Sequence, residues 1–522
     1  MICKVFAAGL KGVDSYRLEI EVDAAYGLMS MLIVGLPDKA VNESRERVQS
    51  AILNSGYQYP NRKVTVNLAP ADIKKDGTAW DLPIALGLLA VNSQLDLDRL
   101  AKIAAVGELA LDGRVRPVRG ALPMALELRR RGHPRLLMPA ENAEEAGVVE
   151  GIDIIPITHL TDAVGVINGT LHIEPHRMDV HAFFERPPGV TDPVDFSDVR
   201  GQESAKRAAE VAAAGGHNLL LLGAPGGGKT MIAKRMPQIL PTLTLDEALE
   251  TTRLHSVAGL TSKDVPLITV RPFRAPHHTV SDAGLIGGGS IPQPGEVSLA
   301  HHGVLFLDEL PEFARRTLEV LRQPLEDGYV TIGRASMTST FPAEFMLVAS
   351  MNPCPCGFRG HPKKQCVCSE RQIENYRGRL SGPLLDRIDM HLEVPPVDFD
   401  DLHNRAPGEP SKDIRARVQA ARDLQATRFR REAGDESRGR MTYCNARMTE
   451  AELRTHCALS RSSESLLRSA MDSMTLSARA YSRILKLART IADLDQAADI
   501  GEQHLSEAIQ YRHLDRPISE TV

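Results

Sequence analysis

One segment of this chain, NLLLLGAPGGGKTMIAKRM, constrains its fold more than any other part of the sequence. Its four consecutive leucines predict a short buried strand, and the apolar spacing after the glycines predicts a helix. Between the two lie residues 223–230, GAPGGGKT, which match the pattern G-x-x-x-x-G-K-[ST]. The backbone amides of such a loop surround phosphate oxygens at the start of a helix. The segment therefore predicts a nucleotide-binding domain of the α/β class, with a parallel sheet sandwiched by helices.

Each part of this loop has a role in phosphate binding. Glycines let the backbone curl around the phosphates, the lysine reaches the β- and γ-phosphate oxygens, and the threonine hydroxyl binds Mg²⁺. ATP and Mg²⁺ are therefore the expected cofactors. The predicted nucleotide-binding residues are Gly223, Ala224, Pro225, Gly226, Gly227, Gly228, Lys229 and Thr230.

Two later strands are predicted to end close to this loop. GVLFLDEL ends in Asp308 and Glu309, and EFMLVASMN ends in Asn352. Sheets of this class bind their ligands at the carboxyl ends of the strands. We expect Asp308 to hold Mg²⁺ together with Thr230, while Glu309 polarises the attacking water and Asn352 orients it. Two acids after an apolar run also suit an ordinary strand end, but after a phosphate-binding loop they predict ATP hydrolysis, with Lys229 as a further catalytic residue.

Two arginines are expected to act on the γ-phosphate. Arg387, in SGPLLDRIDMHLEV, lies in a short polar break before a strand, from where it would reach into a neighbouring subunit. Arg479, in SARAYSRILKLART, lies at the start of a helix and would touch the nucleotide of its own subunit. A guanidinium at this place stabilises the charge of the transition state. A surface salt bridge is the alternative for each arginine.

The chain is too long for a single core, since it has 522 residues. Residues 1–175 alternate β-branched runs with helical patterns and predict a mixed α/β domain. Residues 176–195 contain several prolines and no periodic pattern, and they predict a linker. Strands and helices alternate again over 196–396, whereas residues 397–522 carry only helical patterns and predict a helical lid domain.

Charge and hydropathy exclude some classes of protein. The net charge of −5 gives no whole-chain signature of nucleic-acid binding, so such a function must rest on local sites. The sequence contains no apolar run close to eighteen residues and does not begin like a signal peptide. We therefore expect a cytoplasmic protein without a membrane partner.

Four of the seven cysteines lie in MNPCPCGFRGHPKKQCVC, in an insertion over residues 353–369. Two C-x-C pairs around a glycine-containing turn favour a closed, structural Zn²⁺ site with four thiolate ligands. Free thiols, a redox pair and His361 as a substitute ligand are the alternatives. Lys363 and Lys364, between the pairs, leave room for a nucleic-acid contact. The predicted zinc ligands are Cys354, Cys356, Cys366 and Cys368.

Several long segments carry a family resemblance. They are FSDVRGQESAKRAAEVAAAGGHNLLLLGAPGGGKT, APHHTVSDAGLIGGGSIPQPGEVSLAHHGVLFLDEL and SGPLLDRIDMHLEV. The chain resembles the Mg-chelatase-like AAA+ ATPases, and within them the ComM/YifB group, known as helicases of bacterial DNA uptake. The resemblance implies a homo-hexameric ring with ATP at subunit boundaries. It also implies single-stranded and branched DNA as partners, in branch migration when incoming DNA recombines during natural transformation (competence).

The same resemblance implies that two segments face the central pore of the ring. One is DAGLIGGGS, an insert in the AAA+ domain. The other is YVTIGRASMTSTFPAEF, whose alternating pattern and turn-prone centre independently predict a β-hairpin. Its Arg334 would meet a phosphate backbone, and a solvated hairpin arginine is the alternative.

The N-terminal domain resembles the proteolytic domain of Lon proteases, with its ribosomal S5 domain 2-like fold, in the segments KKDGTAWDLPIALGLLA and VGELALDGRVRPVRGALPMALELRRRG. In that family a Ser and a Lys form the catalytic dyad, and the matching positions here are Ala79 and Leu122. A dyad needs a hydroxyl to attack and an amine to accept its proton. The resemblance therefore implies a retained fold without the peptidase chemistry.

Three functions are consistent with these patterns. The preferred one is a hexameric, ATP-driven DNA helicase. The second is a chelatase-type protein-remodelling ATPase, which would need a partner with an integrin-like domain. The third is an ATP-dependent protease, and Ala79 and Leu122 argue against it.

Overall fold

The computed structural model describes residues 2–75, 77–185, 194–262, 264–289, 291–334, 337–396, 408–433, 442–474 and 476–512. The chain forms two compact units. The first unit consists of Met1–Gly189, Leu245–Thr269 and Gly333–Phe341. The second unit consists of Val190–Thr244, Val270–Ile332 and Pro342–Val522.

The strands are β1 (Ile2–Lys11), β2 (Asp14–Ala25), β3 (Ser30–Val34), β4 (Lys63–Ala69), β5 (Ile103–Ala105), β6 (Glu108–Leu109), β7 (Val115–Arg116), β8 (Arg135–Pro139), β9 (Asp153–Ile157), β10 (Leu219–Leu222), β11 (Phe273–Arg274), β12 (Gly287–Gly288), β13 (Gln293–Pro294), β14 (Val304–Leu307), β15 (Tyr329–Arg334), β16 (Met337–Pro342), β17 (Met346–Met351) and β18 (Met390–Glu393). The two longest strands, β1 and β2, lie in the first unit.

Helices separate most of these strands, as the alternating sequence patterns predict. The α-helices are Lys39–Asn54, Asp81–Val91, Leu97–Leu100, Ala121–Arg130, Ala143–Ala146, Leu160–Asn168, Val180–Glu185, Glu203–Gly215, Lys229–Ile239, Leu245–Ala258, Asp282–Ile286, Glu296–Leu299, Arg315–Glu319, Arg322–Asp327, Glu370–Arg377, Gly382–Leu385, Ser411–Ala433, Glu450–His456, Arg461–Met474, Ala478–Leu494 and Glu502–Gln510. One of them, Val180–Glu185, lies inside the segment predicted as a linker.

The first unit is built on a mixed sheet in the order β3-β4-β2-β1-β5-β8-β9. Its longest pairing is the antiparallel ladder of β1 and β2. Alternate residues of β2, namely Leu18, Ile20 and Val22, are fully buried because successive side chains of a strand point to opposite faces. The helix Asp81–Val91, buried along its whole length, contributes to the same apolar core. This unit is therefore α/β, as predicted.

The two positions that match the Lon dyad lie in an apolar environment. Leu122 is fully buried, and Ala79 is partly buried against the same hydrophobic cluster. Neither side chain carries a polar atom, so these positions provide no nucleophile and no base. The Lon-like ancestry of the unit stays a prediction.

A buried carboxylate, Glu145, ties a distant chain segment into the first unit. It accepts hydrogen bonds from the backbone amide of Leu122 at 2.8 Å, from the Ser256 hydroxyl, and from the Thr261 hydroxyl at 2.9 Å. Burial raises the pKa of Glu145, and these donors act in the opposite direction. Ser256 belongs to the helix Leu245–Ala258, which therefore completes this unit although it follows the phosphate-binding segment in the sequence.

The second unit contains a parallel five-stranded sheet in the order β11-β14-β17-β10-β18. All four residues of β10 are buried, and β10 pairs with β17 on one side and with β18 on the other. Such a continuous apolar strand is typical of a parallel sheet that is covered on both faces. The predicted parallel α/β domain is confirmed.

The C-terminal part of the chain is helical, also as predicted. In the helix Ala478–Leu494 the buried residues Ile484, Leu487 and Ile491 lie three or four positions apart, on one face. They belong to the same hydrophobic cluster as Leu219 of β10, so the C-terminal helices and the sheet share one core. Within the described ranges, none of the helices has both the length and the apolar character that a membrane span requires.

Candidate nucleotide site and cysteine cluster

The loop between β10 and the helix Lys229–Ile239 has a backbone that favours glycine. Gly226 and Gly228 have φ angles of +82° and +83°, in a region that residues with a Cβ rarely adopt. A Cβ at Gly223 would lie 2.3 Å from the carbonyl oxygen of Val394. The predicted order of strand, glycine loop and helix is present. The backbone conformation favours glycine at positions 226 and 228, and the closely approaching carbonyl group of Val394 leaves no room for a side chain at position 223.

The side chain of Lys229 is held inside this loop. Its Nζ donates hydrogen bonds to the carbonyl oxygens of Gly223 at 2.7 Å and Ala224 at 3.0 Å, and lies 3.3 Å from Oδ1 of Asn352. Burial lowers the pKa of Lys229, while the nearby acids Asp308 and Glu309 act in the opposite direction. The structure thus places Asn352, at the end of a strand that was predicted to lie close to this loop, beside the loop lysine.

A chain of hydrogen bonds joins the other predicted residues. The Thr230 hydroxyl donates to Oδ2 of Asp308 at 3.0 Å, and the Ser350 hydroxyl donates to Oδ1 of the same carboxylate. The backbone amide of Glu309 donates to Ser350 Oγ at 3.1 Å. Hydroxyl and carboxylate oxygens are ligands that Mg²⁺ prefers, so Thr230 and Asp308 fit the predicted metal site.

Two residues of this site were not identified from the sequence. Ser350 interrupts the apolar run of β17, and a hydroxyl inside a buried strand is the only local signal of its role. Tyr376 is almost fully buried, and burial raises its pKa to about 12 although the backbone amide of Asn352 donates to its hydroxyl and lowers the pKa. Asn352 is therefore fixed both through its side chain and through its backbone.

Glu309 has an unusual backbone conformation. Its φ is +53°, in the left-handed region, which is uncommon for a residue other than glycine. Backbone strain of this kind is found at functional sites, where the surrounding structure holds it in place. The backbone amide of Glu309 belongs to the hydrogen-bond chain through Ser350, and Glu309 follows Asp308 in the sequence. Its role in activating water stays a prediction.

Arg387 and Arg479 are brought together in a different part of the second unit. Both line a cleft of about 590 Å³ that also includes Glu326, Asp389 and Arg483. The loop residues 223–230, all of which are described, are not among the residues that line this cleft. The structure therefore joins the two predicted arginines to each other and not to the phosphate-binding loop.

The two arginines differ in how firmly they are held. Arg387 is buried, forms an ion pair with Glu326 and donates to the carbonyl oxygen of Pro383 at 2.6 Å. Its buried Nε has no hydrogen-bond partner among the described residues. The side chain of Arg479 is 58% exposed and lies 3.7 Å from the carboxylate of Asp386. Such an exposed, long ion pair contributes little stability, so Arg479 is free to take another anionic partner.

The four predicted cysteines form one cluster, in which all Sγ atoms lie within 4.8 Å of one another. The Sγ of Cys354 lies 3.4 Å from that of Cys356 and 3.6 Å from that of Cys366. A tetrahedral Zn²⁺ with Zn–S bonds of about 2.3 Å separates its sulfurs by about 3.8 Å. The amides of Phe358 and Val367 lower the pKa of the Cys356 thiol to about 6. The amide of Cys368 acts to lower the pKa of the Cys366 thiol, but burial and the neighbouring thiols outweigh it and raise this pKa to about 12. The cluster is a group that could hold a metal ion.

His361 and the lysines of the cysteine loop have other contacts. The Nδ1 of His361 accepts hydrogen bonds from the backbone amides of Lys363 at 3.0 Å and Lys364 at 3.1 Å. His361 is not a member of the four-residue cluster, so the structure does not support it as a substitute ligand. The Nζ of Lys364 lies 4.7 Å from the centroid of the Phe358 ring, a cation–π contact.

The predicted hairpin is present as a two-stranded sheet of β15 and β16. Arg334 is the last residue of β15, and residues 335 and 336, at the predicted turn, lie outside the described residues. In the segment DAGLIGGGS, the helix Asp282–Ile286 is followed by β12, while residue 290 lies outside the described residues.

Three protein-family descriptions match the chain. Residues 195–402 match "Magnesium chelatase, subunit ChlI", residues 20–142 match "Subunit ChlI of Mg-chelatase", and residues 408–512 match "Magnesium chelatase, subunit ChlI C-terminal". The matches together cover both units of the fold.

Two similar proteins match nearly the whole chain, and a third matches about half of it. The uncharacterized protein YifB of Escherichia coli (strain K12) is 44% identical, over 97% of this chain and 96% of that protein. The competence protein ComM of Haemophilus influenzae is 42% identical, over 98% of this chain and 97% of that protein. The magnesium-chelatase 67 kDa subunit of Chlorobaculum parvum is 25% identical, over 47% of this chain and 31% of that protein.

Proposed function

Because this chain belongs to the ComM/YifB family of magnesium-chelatase-like AAA+ ATPases, we propose that it is a hexameric DNA helicase. In this proposal, ATP hydrolysis drives branch migration when incoming DNA recombines during natural transformation in the cytoplasm. The observation that carries the DNA assignment is the similarity to the competence protein ComM over 98% of the chain.

The geometry around Lys229 supports a specific role for each residue in ATP hydrolysis. Lys229 would move from its carbonyl partners to the β- and γ-phosphate oxygens. Thr230 and Asp308, already joined by a hydrogen bond, would hold Mg²⁺, which neutralises phosphate charge when bound. The Glu309 carboxylate would accept a proton from the attacking water, and Asn352 would orient that water.

The arginine cleft supports assembly into a ring. Because Arg387 and Arg479 line one cleft without the phosphate-binding loop, we infer that both reach the nucleotide of a neighbouring subunit. For Arg479 this replaces the same-subunit contact that the sequence predicts. A second, anionic partner would also satisfy the buried Nε of Arg387. Phosphate oxygens suit this role because a guanidinium binds them with several N–H donors at once.

The cysteine cluster supports a structural Zn²⁺ with Cys354, Cys356, Cys366 and Cys368 as ligands, because four thiolates in a closed group are the ligand set of such sites. A bound Zn²⁺ would hold together a loop that has little apolar content of its own.

For DNA contacts we propose Arg334, in the hairpin, and Lys363 and Lys364, in the cysteine loop, since basic side chains bind the phosphate backbone without regard to sequence.

A chelatase-type remodelling ATPase is the second candidate, favoured by the 25% identity to the magnesium-chelatase 67 kDa subunit of Chlorobaculum parvum.

Two measurements distinguish the DNA helicase from the remodelling ATPase: ATPase activity with and without DNA, and branch migration on a synthetic four-way junction. The helicase proposal requires DNA to stimulate ATPase activity and ATP to drive resolution of the junction. Lys229→Ala, which removes the ammonium that binds phosphate, is the negative control. ATP hydrolysis that is indifferent to DNA, without junction resolution, would favour the remodelling ATPase.

A further inference from the structure

We propose that Asn218 is a positioning residue for Arg387. Asn218 holds the backbone of Arg387 in the position from which the guanidinium acts on a neighbouring subunit's nucleotide. This inference rests on the proposed role of Arg387 in trans. Asn218 is the residue immediately before β10 and lines the arginine cleft together with Arg387 and Asp389.

The side chain of Asn218 uses both ends of its amide. Its Nδ2 donates a hydrogen bond to the backbone carbonyl oxygen of Arg387 at 2.9 Å. Its Oδ1 accepts a hydrogen bond from the backbone amide of Leu347, in β17, at 2.8 Å. Only an amide side chain offers a donor and an acceptor at this spacing, since a carboxylate accepts only and an alanine does neither. Asn218 therefore ties the backbone of Arg387 directly to the sheet.

The backbone of Asn218 strengthens this attachment. Its amide donates to Oδ2 of Asp389 at 2.8 Å, and its carbonyl oxygen accepts from the amides of Asp389 and Met390 at 3.1 and 3.0 Å. Burial disfavours the charged form of Asp389, but the nearby Arg483 keeps the pKa of this carboxyl below its usual range. Asp389 thus stays a carboxylate, and the segment from Arg387 to Met390 is held at one place on the sheet.

The Arg387 side chain needs such an anchor. Its contacts inside the subunit are the exposed Glu326 carboxylate, which also lines the cleft, and the carbonyl oxygen of Pro383. A nucleotide in a neighbouring subunit would compete with Glu326 for the guanidinium. The backbone position of Arg387 must then be fixed by groups that do not move with Glu326, and Asn218 provides them. A displacement of about 1 Å in a catalytic group is enough to reduce a rate by about a hundredfold.

Mixed rings test this role and separate it from a general effect on folding. In the parent mixture, Arg387→Ala subunits provide an intact phosphate-binding loop, and Lys229→Ala subunits provide the arginine. Asn218→Asp is then added to either the arginine-donating or the loop-donating subunit. This substitution keeps an acceptor for Leu347 but removes the donor to Arg387. Asn218→Ser, which is uncharged and too short to bridge the two, is the second variant if a carboxylate beside Asp389 prevents folding.

The expected result depends on which of the two subunits carries the substitution at Asn218. In the arginine-donating subunit it should lower kcat of the mixed ring about tenfold or more, while KM for ATP stays unchanged. In the loop-donating subunit the same substitution should leave kcat close to that of the parent mixture. Equal losses in both placements would overturn the inference and make Asn218 a structural residue only. No activity in the parent mixture, in rings shown to form, would overturn the role of Arg387 in trans and the inference with it.

Discussion

Gly357 of the cysteine loop lies directly against Pro225 of the phosphate-binding loop, so that a Cβ at Gly357 would be 2.6 Å from Cδ of Pro225. The φ of Gly357 is +81°. The cysteine cluster is thus attached to the nucleotide site twice, through this contact and through Asn352, which lies two residues before Cys354.

Gly357→Ala should weaken ATP binding because the added methyl group displaces Pro225. We expect an affinity loss of about tenfold, which corresponds to roughly 1.4 kcal/mol, measured by titration with ATP. Gly360→Ala is a matched control, since Gly360 has a φ of +74° but no atom within 4 Å of an added Cβ. Both variants carry a similar backbone strain, so only Gly357→Ala should affect ATP. Equal ATP affinities in the two variants would show that the contact with Pro225 is irrelevant to the site.

Elemental analysis of the purified protein should find about one zinc ion per chain, as a four-thiolate site binds one Zn²⁺. Cys354→Ser combined with Cys356→Ser should remove most of this zinc and lower Tm. Cys444→Ser, at a buried cysteine outside the cluster, should keep the metal. A metal-free wild-type protein with unchanged Tm would argue against a structural zinc.

Glu309→Gln should retain ATP binding but lose hydrolysis, because the amide cannot accept a proton from water while Lys229, Thr230 and Asp308 are unchanged. Loss of a general base lowers a rate by about 10²- to 10⁴-fold, and kcat measures it directly. Glu312→Gln is the matched control, since Glu312 is an exposed partner of Arg379. Hydrolysis by Glu309→Gln at the wild-type rate would assign the base to another residue.

Arg334→Ala should leave the basal ATPase activity near wild type but reduce its stimulation by DNA and slow the resolution of a four-way junction. Phosphate contacts are salt-sensitive, so DNA binding by the wild type should fall steeply with salt and that of the variant less steeply. Lys39→Ala, at a side chain that is 93% exposed in the first unit, controls for the loss of one surface charge. A variant that loses ring assembly instead would identify Arg334 as a structural residue.

The parts of the site that could be predicted from the sequence depend on local patterns. Gly226, Gly228 and Lys229 stand in a contiguous motif, and Asp308 and Asn352 each follow a short apolar run, so neighbouring residues alone identify them. The hairpin of β15 and β16 was predictable for the same reason, because its alternation and its turn are close in sequence.

The parts that could not be predicted depend on strand register and on the packing of distant segments. Ser350 meets Asp308 only because β17 pairs with β14, and Asn218 meets Arg387 only because β10 pairs with β18. The common cleft of Arg387 and Arg479 arises from a turn and a helix almost a hundred residues apart in sequence. No local pattern marks these long-range relationships.

The assignment of Leu245–Thr269 and Gly333–Phe341 to the first unit has a consequence for how the protein is made. Domains commonly fold one after another as the chain leaves the ribosome, the N-terminal one first. Here the nascent first unit lacks Ser256 and Thr261, two of the donors to the buried Glu145, until the phosphate-binding loop has already been translated. Its last segment emerges only after residue 341. The N-terminal unit therefore cannot be completed until the strand, loop and helix of the nucleotide site have been synthesised, so the formation of the first unit overlaps with the synthesis of the second.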